Sequence, residues 1–377
     1  MSRGLALYIH IPFCVRKCYY CDFVSRPYSS AMADVYISAL EKEAEYFITS
    51  WPQSQGVSSV YIGGGTPTVL SPHELERVLQ VAAAFPQTAA IEWTVEANPG
   101  TLTKAKLALL KAAGVNRLSL GVQSFDDTVL SFLGRVHSAA EAKIAWDLAR
   151  CAGFDNLSLD LMYAIPGQGL DVWRQTLQEA ISLAPDHISA YSLMIEEGTE
   201  FAKRGLKPCS EELDLAEYQE AQVMLEQAGL YQYEISNFAR HGYSCRHNLV
   251  YWHNESYLGL GLAATSYLEG ERRNNVQDMT SYVTTLWNGH LPIAEREEAT
   301  PELDQAETVM LALRLKEGLP RERFYRRFGQ DVYTAYSEAI DRLAAAGLVT
   351  LNEQRLTLTT KGLLLYNQVA LAFLPPR

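Results

Sequence analysis

Apolar, β-branched runs recur along the chain as L-A-L-Y-I-H-I, S-V-Y-I-G-G-G, A-I-E-W-T-V-E, V-N-R-L-S-L-G, N-L-S-L-D-L-M, H-I-S-A-Y-S-L and Y-Q-Y-E-I-S. Such short runs, bounded by turn residues, read as strands. Between them lie segments of helical periodicity with explicit start and stop signals. Ser71-Pro72 is a cap followed by a first-turn proline ahead of H-E-L-E-R-V-L-Q-V, and K-L-A-L-L-K-A-A stops at Gly114, where a positive φ is wanted. Strand and helix therefore alternate about seven times between Leu5 and Ala239. The pattern predicts an α/β fold, a parallel TIM-type barrel or part-barrel over residues 1–240, with its chemistry at the C-terminal ends of the strands.

Beyond residue 240 the rhythm changes. Residues 241–298 read as a connecting segment, and residues 299–377 as a small α+β domain. In the latter, Q-A-E-T-V-M-L-A-L-R-L, R-E-R-F-Y-R-R-F and V-Y-T-A-Y-S-E-A-I-D-R-L-A-A-A-G predict helices. The strands L-V-T-L and R-L-T-L follow, and a last helix opens at Thr360. Three helices and a hairpin resemble a winged helix, a shape that does not by itself imply DNA binding.

The 377 residues carry 44 acidic and 32 basic side chains, a formal charge of -12, without a Lys/Arg cluster of nucleic-acid-binding length. Nucleic acid is therefore not an expected partner. No apolar run is long enough for a membrane span, and the start M-S-R-G-L-A-L-Y-I-H carries no secretory signal. The expectation is a cytoplasmic protein whose six cysteines are reduced.

Three of those cysteines, Cys14, Cys18 and Cys21, fall within the loop that follows the first strand. Three thiolates on a four-iron cluster leave one iron open to an amine and a carboxylate; the alternative is a zinc site completed by His10 or a distant cysteine. Gly63-Gly64-Gly65-Thr66-Pro67, at the end of the second strand, lets backbone approach a ligand closely, or is simply a tight turn. It matches neither the phosphate-binding nor the dinucleotide glycine pattern. Glu96, Gln123 and Asp160 recur at successive strand ends, with Arg135 nearby in L-G-R-V-H. Polar groups in register there suggest a polar ligand, or else salt bridges inside the barrel.

Taken in order, C-x-x-x-C-x-x-C, G-G-G-T-P, E-A-N-P, G-V-Q-S-F and L-D-L-M-Y-A-I-P-G closely resemble the radical S-adenosylmethionine (SAM) proteins related to oxygen-independent coproporphyrinogen oxidase. The resemblance runs over nearly the whole chain and implies a radical SAM partial barrel. It further implies that Cys14, Cys18 and Cys21 hold a 4Fe-4S cluster and that SAM supplies the missing ligands. Tyr8 would lie beside the methionine part of SAM, Gly64, Gly65 and Thr66 against its amino and carboxylate groups, and Glu96, Gln123, Arg135 and Asp160 around the rest.

Two features divide that family. Oxidases resemble C-x-x-x-C-x-x-C-x-C, whereas Phe23 stands at the last cysteine position here. His247-Asn248-Leu249-Val250-Tyr251-Trp252 is similar to the H-N-x-x-Y-W motif of the heme-chaperone branch, which makes His247 a candidate heme contact. Imidazole ligates iron and aromatic faces cover a porphyrin; the alternative is that His247 and Asn248 hold a loop against the barrel. Arg272 and Arg273 offer cations for heme propionates, or are an ordinary exposed pair. The implied function is a heme chaperone rather than a coproporphyrinogen dehydrogenase or an RNA-modifying radical enzyme. Its partners would be heme, unidentified heme-acceptor proteins and, if radical chemistry occurs, a flavodoxin or ferredoxin donor.

Overall fold

The computed structural model describes residues 5–50 and 56–375. A twelve-stranded sheet is built from β1 (Leu5–Ile11), β2 (Val57–Gly64), β3 (Gln87–Ala97), β4 (Arg117–Gln123), β5 (Asn156–Tyr163), β6 (His187–Ser192), β7 (Tyr231–Glu234), β8 (Asn237–Ala239), β9 (Tyr257–Leu260), β10 (Thr265–Leu268), β11 (Glu271–Asn275) and β12 (Ile293–Glu298). Its order is β12-β11-β10-β9-β1-β2-β3-β4-β5-β6-β8-β7. Strands β1 to β6 are parallel neighbours. The fold is thus a partial βα barrel of mixed α/β class.

One strand expectation is corrected. Y-Q-Y-E does not continue the parallel series: β7 pairs antiparallel with β8, and β8 antiparallel with β6. The seventh parallel strand is β9, which lies on the other side of β1. Strands β9 to β12 all fall within residues 257–298, so this stretch forms one flank of the sheet.

Alternation along the strands creates the site. Val60, Ile62, Trp93, Val95, Leu118, Leu120, Leu157, Leu159 and Leu161 join the apolar core shared with the surrounding helices. The intervening positions, Ser59, Tyr61, Glu92, Glu96, Arg117, Ser119, Ser158, Asp160 and His187, face the other way and give the barrel a polar interior. Helix Pro72–Ala83 begins with a full capping box between Ser71 and Glu74, and helix Lys104–Ala113 ends at Gly114 with φ 99°. The start signal and the stop signal read in the sequence are therefore both used as anticipated.

The 257–298 flank is tied down by one buried carboxylate. Glu43, on helix Ser30–Ser50, accepts from Gly261 N–H at 2.8 Å, Asn275 Nδ2 at 2.6 Å and Tyr282 Oη at 2.6 Å. Beside it, Tyr36 donates to the His10 carbonyl at 2.6 Å, at the end of β1. This cluster sets the strand that leads into the cysteine loop.

Residues 301–371 contain helices Pro301–Leu313, Arg321–Phe328 and Val332–Ala345, then strands Val349–Leu351 and Arg355–Leu358, as expected. A third strand, Leu319–Pro320, joins the hairpin, and the last helical stretch is broken into Thr360–Leu364 and Tyr366–Leu371. Val309, Leu313, Phe324, Ile340, Leu356 and Phe373 form its own apolar core. Arg327 ties this unit to the preceding segment by donating to the Asn254 carbonyl at 2.6 Å, and is itself held within the unit by Asp304 at 2.7 Å. No helix among the described residues is long and apolar enough to cross a membrane.

Burial pushes Glu43 up from 4.5 to about 7. A raised carboxyl favours the folded state most below its unfolded value, so this share of stability is lost as pH rises from about 4.5 to 7. Glu43→Ala leaves three buried donors without an acceptor. It should cost about 3 kcal/mol in chemical denaturation at neutral pH. The stability of the variant should also lack that pH-dependent component.

Candidate functional site

A cavity of about 500 Å³ opens at the C-terminal ends of the parallel strands. Cys14, Cys18 and Cys21 line it, as do Gly64, Gly65, Thr66, Glu96, Gln123, Arg135 and Asp160. The structure thus brings together ten of the residues singled out in the sequence. Tyr8 and His247 stand apart from this wall.

The glycines act through close approach. A Cβ at Gly65 would lie 2.6 Å from the Phe13 carbonyl oxygen and 2.7 Å from that of Ile11, and one at Gly64 would lie 2.3 Å from the His10 ring. The Gly65 N–H donates to Ile11 O at 2.8 Å and the Thr66 N–H to Phe13 O at 2.7 Å. The Gly64 N–H donates to Glu96 Oε2 at 3.0 Å. All three amides are therefore committed within the protein, holding the start of the cysteine loop against β2. What this turn can offer a ligand's ammonium is carbonyl oxygen.

Two side chains join the loop to the barrel. Arg135 donates to Cys18 Sγ at 3.5 Å and to Asn98 Oδ1 at 2.6 Å, and also to the Gly121 carbonyl. Asn98 Nδ2 donates to Thr66 Oγ1 at 2.6 Å, and Thr66 Oγ1 to Cys14 Sγ at 3.6 Å. Asn98 was not singled out in the sequence, although it sits inside the E-A-N-P-G motif. Its neighbour Glu96 marked the position.

Deeper in the wall, Glu96 accepts from Tyr61 Oη at 2.8 Å, and Asp160 accepts from Ser119 Oγ at 3.0 Å. Burial pushes Glu96 up to about 7, with the Asp160 charge adding to the rise. Burial likewise raises Asp160 against the hydrogen bonds of Ser189 and Ser119. Gln123 ends β4 with φ 71°, a left-handed conformation unusual for a residue other than glycine. Tyr8 lies behind the wall: its hydroxyl is 3.0 Å from His10 Nδ1, and its ring is 6.3 Å from that of Tyr61.

The donor set fits an iron–sulfur cluster. Three thiols face one cavity, two of their sulfurs accept hydrogen bonds from protein donors, and the buried Nε of Arg135 has no partner. Burial raises the Cys14 thiol and pushes Cys21 up to about 11, so their thiolates need a cationic partner to persist. Among the described residues no group of His, Cys, Asp or Glu is arranged to hold a single metal ion. His10 is no fourth ligand: Nδ1 meets Tyr8 Oη at 3.0 Å and Nε2 meets the Val24 carbonyl at 2.9 Å. Cys245 precedes the helix Arg246–Trp252 and donates to Glu92 Oε1 at 3.7 Å, away from this cavity.

The expected heme contact is placed differently from the sequence reading. Helix Arg246–Trp252 plugs the barrel beneath the cavity, and Glu92 caps it by accepting from the N–H groups of Arg246 and His247, each at 3.0 Å. His247 is 1 % exposed, with Nδ1 3.0 Å from Ser59 Oγ and Nε2 2.8 Å from Tyr251 Oη. Burial and then the Arg117 charge push it down to about 3. Both ring nitrogens are engaged, so neither faces a ligand. The aromatic faces are occupied too: Tyr251 packs edge-on to Tyr257 at 4.7 Å, and Arg314 lies 4.3 Å over Trp252. Arg272 pairs with Glu307 at 2.7 Å, and Arg273 with Glu271 at 2.5 Å.

Residues 8–180 match the family model of the radical SAM superfamily, and residues 300–365 that of the HemN C-terminal domain. The chain is 38 % identical over 375 residues to the heme chaperone HemW of Bacillus subtilis, covering 97 % of this chain and 98 % of that one. The chain belongs to the HemW family of radical SAM proteins. To the Escherichia coli HemW it is 35 % identical, covering 98 % of both chains. Among solved structures, the Escherichia coli coproporphyrinogen III oxidase HemN, a radical SAM enzyme, superposes with a TM-score of 0.87 at 26 % identity, covering 98 % of this chain and 90 % of that one. This chain and the oxidase thus share the barrel and the C-terminal unit.

Gly65→Ala should cost about 1–3 kcal/mol, because backbone atoms on both sides cannot yield. It should also lower iron and sulfide content after anaerobic reconstitution, by displacing the cysteine loop. Gly169→Ala, with open space around its Cβ and away from the cysteine loop, should leave the iron and sulfide content unchanged.

Proposed function

We propose that this chain is a heme chaperone that binds heme and passes it to acceptor proteins, with a 4Fe-4S cluster on Cys14, Cys18 and Cys21 and SAM in the adjoining cavity. The observation that carries the reading is the cysteine loop itself. Phe23, at the position of the oxidases' further cysteine, is a 60 % exposed side chain on the rim of a cavity whose sulfur donors are already complete with three. Likeness to chaperones named HemW over nearly the full length supports the same assignment.

In this reading Gly64, Gly65 and Thr66 border the amino and carboxylate groups of SAM, and Glu96, Gln123 and Asp160 supply acceptors for its ammonium and hydroxyls. Arg135 is the cation suited to a carboxylate. Tyr8 acts from behind, by fixing His10 and the packing of Tyr61. When bound, cluster and SAM together supply one-electron chemistry at a sulfonium, and the protein's part is to orient them and exclude water. Electron donors of flavodoxin or ferredoxin type, a cytoplasmic location and the heme acceptors belong to the same proposal.

Replacement of Cys14, Cys18 or Cys21 by serine should abolish the cluster, and Cys151→Ser should spare it, by iron and sulfide analysis. Anaerobic wild type should bind heme at about one per chain in a Soret titration. It should release no decarboxylated product from coproporphyrinogen. Turnover of that substrate would move the protein to the oxidase branch.

SAM affinity should report Glu96. A cationic ligand favours the carboxylate over the acid, so affinity should rise with pH through about 7, where Glu96 ionises. Equilibrium dialysis of the reconstituted protein should show that rise in wild type, and a flat profile in Glu96→Gln.

A further inference from the structure

The cavity wall is polar, but its rim, beside the charged Arg16, Lys17 and Asp22, carries large apolar side chains. Four of the chain's large exposed apolar side chains surround this one opening: Val15 at 54 %, Phe23 at 60 %, Val136 at 50 % and Met194 at 66 % exposure. They come from three separate loops. Val15 lies between Cys14 and Cys18 and Phe23 just past Cys21, Val136 follows Arg135, and Met194 lies just past β6. Tyr191, 41 % exposed, completes the ring from β6 itself. Convergence of independent loops on one apolar rim marks a contact surface, since single exposed apolar residues are ordinary and a cluster around a cavity is not.

SAM does not account for this rim. Its amino, carboxylate and ribose groups match the polar wall below, while the rim offers flat apolar area outside it. The same loop also carries cations. Lys17 is exposed and donates to the Phe23 carbonyl at 2.9 Å, and Arg16 reaches the Gly134 carbonyl at 2.7 Å. An occupant with broad apolar faces and carboxylates along one edge fits apolar and cationic groups together. Heme has that form.

We propose that heme docks on the apolar rim of the barrel mouth, against Phe23, Val136 and Met194, and not at His247. The assignment rests on the chaperone reading. Heme then lies on the same face as the cysteine loop, and the His247 helix is the barrel's floor.

Hemin titration of the anaerobically reconstituted protein, followed in the Soret region, tests this. The variants are the double substitution Phe23→Ser with Met194→Ser, Val136→Ser, and Ile144→Ser as an equally exposed apolar position away from the mouth. Iron, sulfide and SAM binding are measured for each variant, to show that the loop is intact. Affinity should fall at least about tenfold in the double variant, equivalent to about 1.4 kcal/mol, less in Val136→Ser, and not in Ile144→Ser. Wild-type affinity in the double variant and in Val136→Ser, with heme still bound at one site, overturns the rim site and leaves the chaperone reading standing. Failure of wild type to bind heme overturns both.

Discussion

A charged group buried inside a barrel must be matched by donors or opposite charge, and the seating of the barrel's floor and of the cysteine loop follows from that constraint. Glu92 accepts from two backbone N–H groups and thereby seats helix Arg246–Trp252 in the barrel. Arg117, 2 % exposed, is opposed by burial, but Cys245, Glu92 and Tyr61 around it raise its pKa above the ordinary value. Glu96 grips Gly64, and Arg135 grips Cys18, Asn98 and Gly121. Linked polar groups thus run through the interior from floor to mouth. Its upper members hold the cysteine loop in place.

The mouth was legible from sequence because its residues are local signals at strand ends. Gly64, Glu96 and Gln123 lie at or next to the ends of strands whose apolar alternation is plain, and Asp160 lies within the last four residues of its strand, so the topology alone gathers them. Positive φ at Gly64 and Gln123 occurs at the same strand ends. The pairing of β9 with β1 was not legible. Y-L-G-L is four residues long, and its partner lies some two hundred and fifty residues away, a contact no local pattern announces. For Y-Q-Y-E the signal existed: only Ile235 and Ser236 separate it from β8, a two-residue hairpin link.

His247 shows how a motif can be read correctly and placed wrongly. The residue types suited a porphyrin, but Ser59 and Tyr251 engage both ring nitrogens, and nothing near residue 247 in the sequence names Ser59 as a partner. A histidine pushed down to about 3 stays neutral across the physiological range and acts as a hydrogen-bonding strut. The segment's role is then to close the barrel under Tyr61, which stands 5.2 Å from the His247 ring and forms part of the cavity lining. The floor supports the site without touching its ligand. Exposed apolar residues at the rim carry the contact instead, and sequence patterning cannot distinguish those from scattered surface residues until three loops are folded together.

The central claim is that three thiolates leave one iron open to the amino and carboxylate groups of SAM. Electron–nuclear double resonance on the reduced, reconstituted protein measures it directly, with SAM isotopically labelled at its amino nitrogen and carboxylate oxygen. Hyperfine coupling of both labels to the cluster is the predicted result. Bound SAM with neither label coupled would contradict the account.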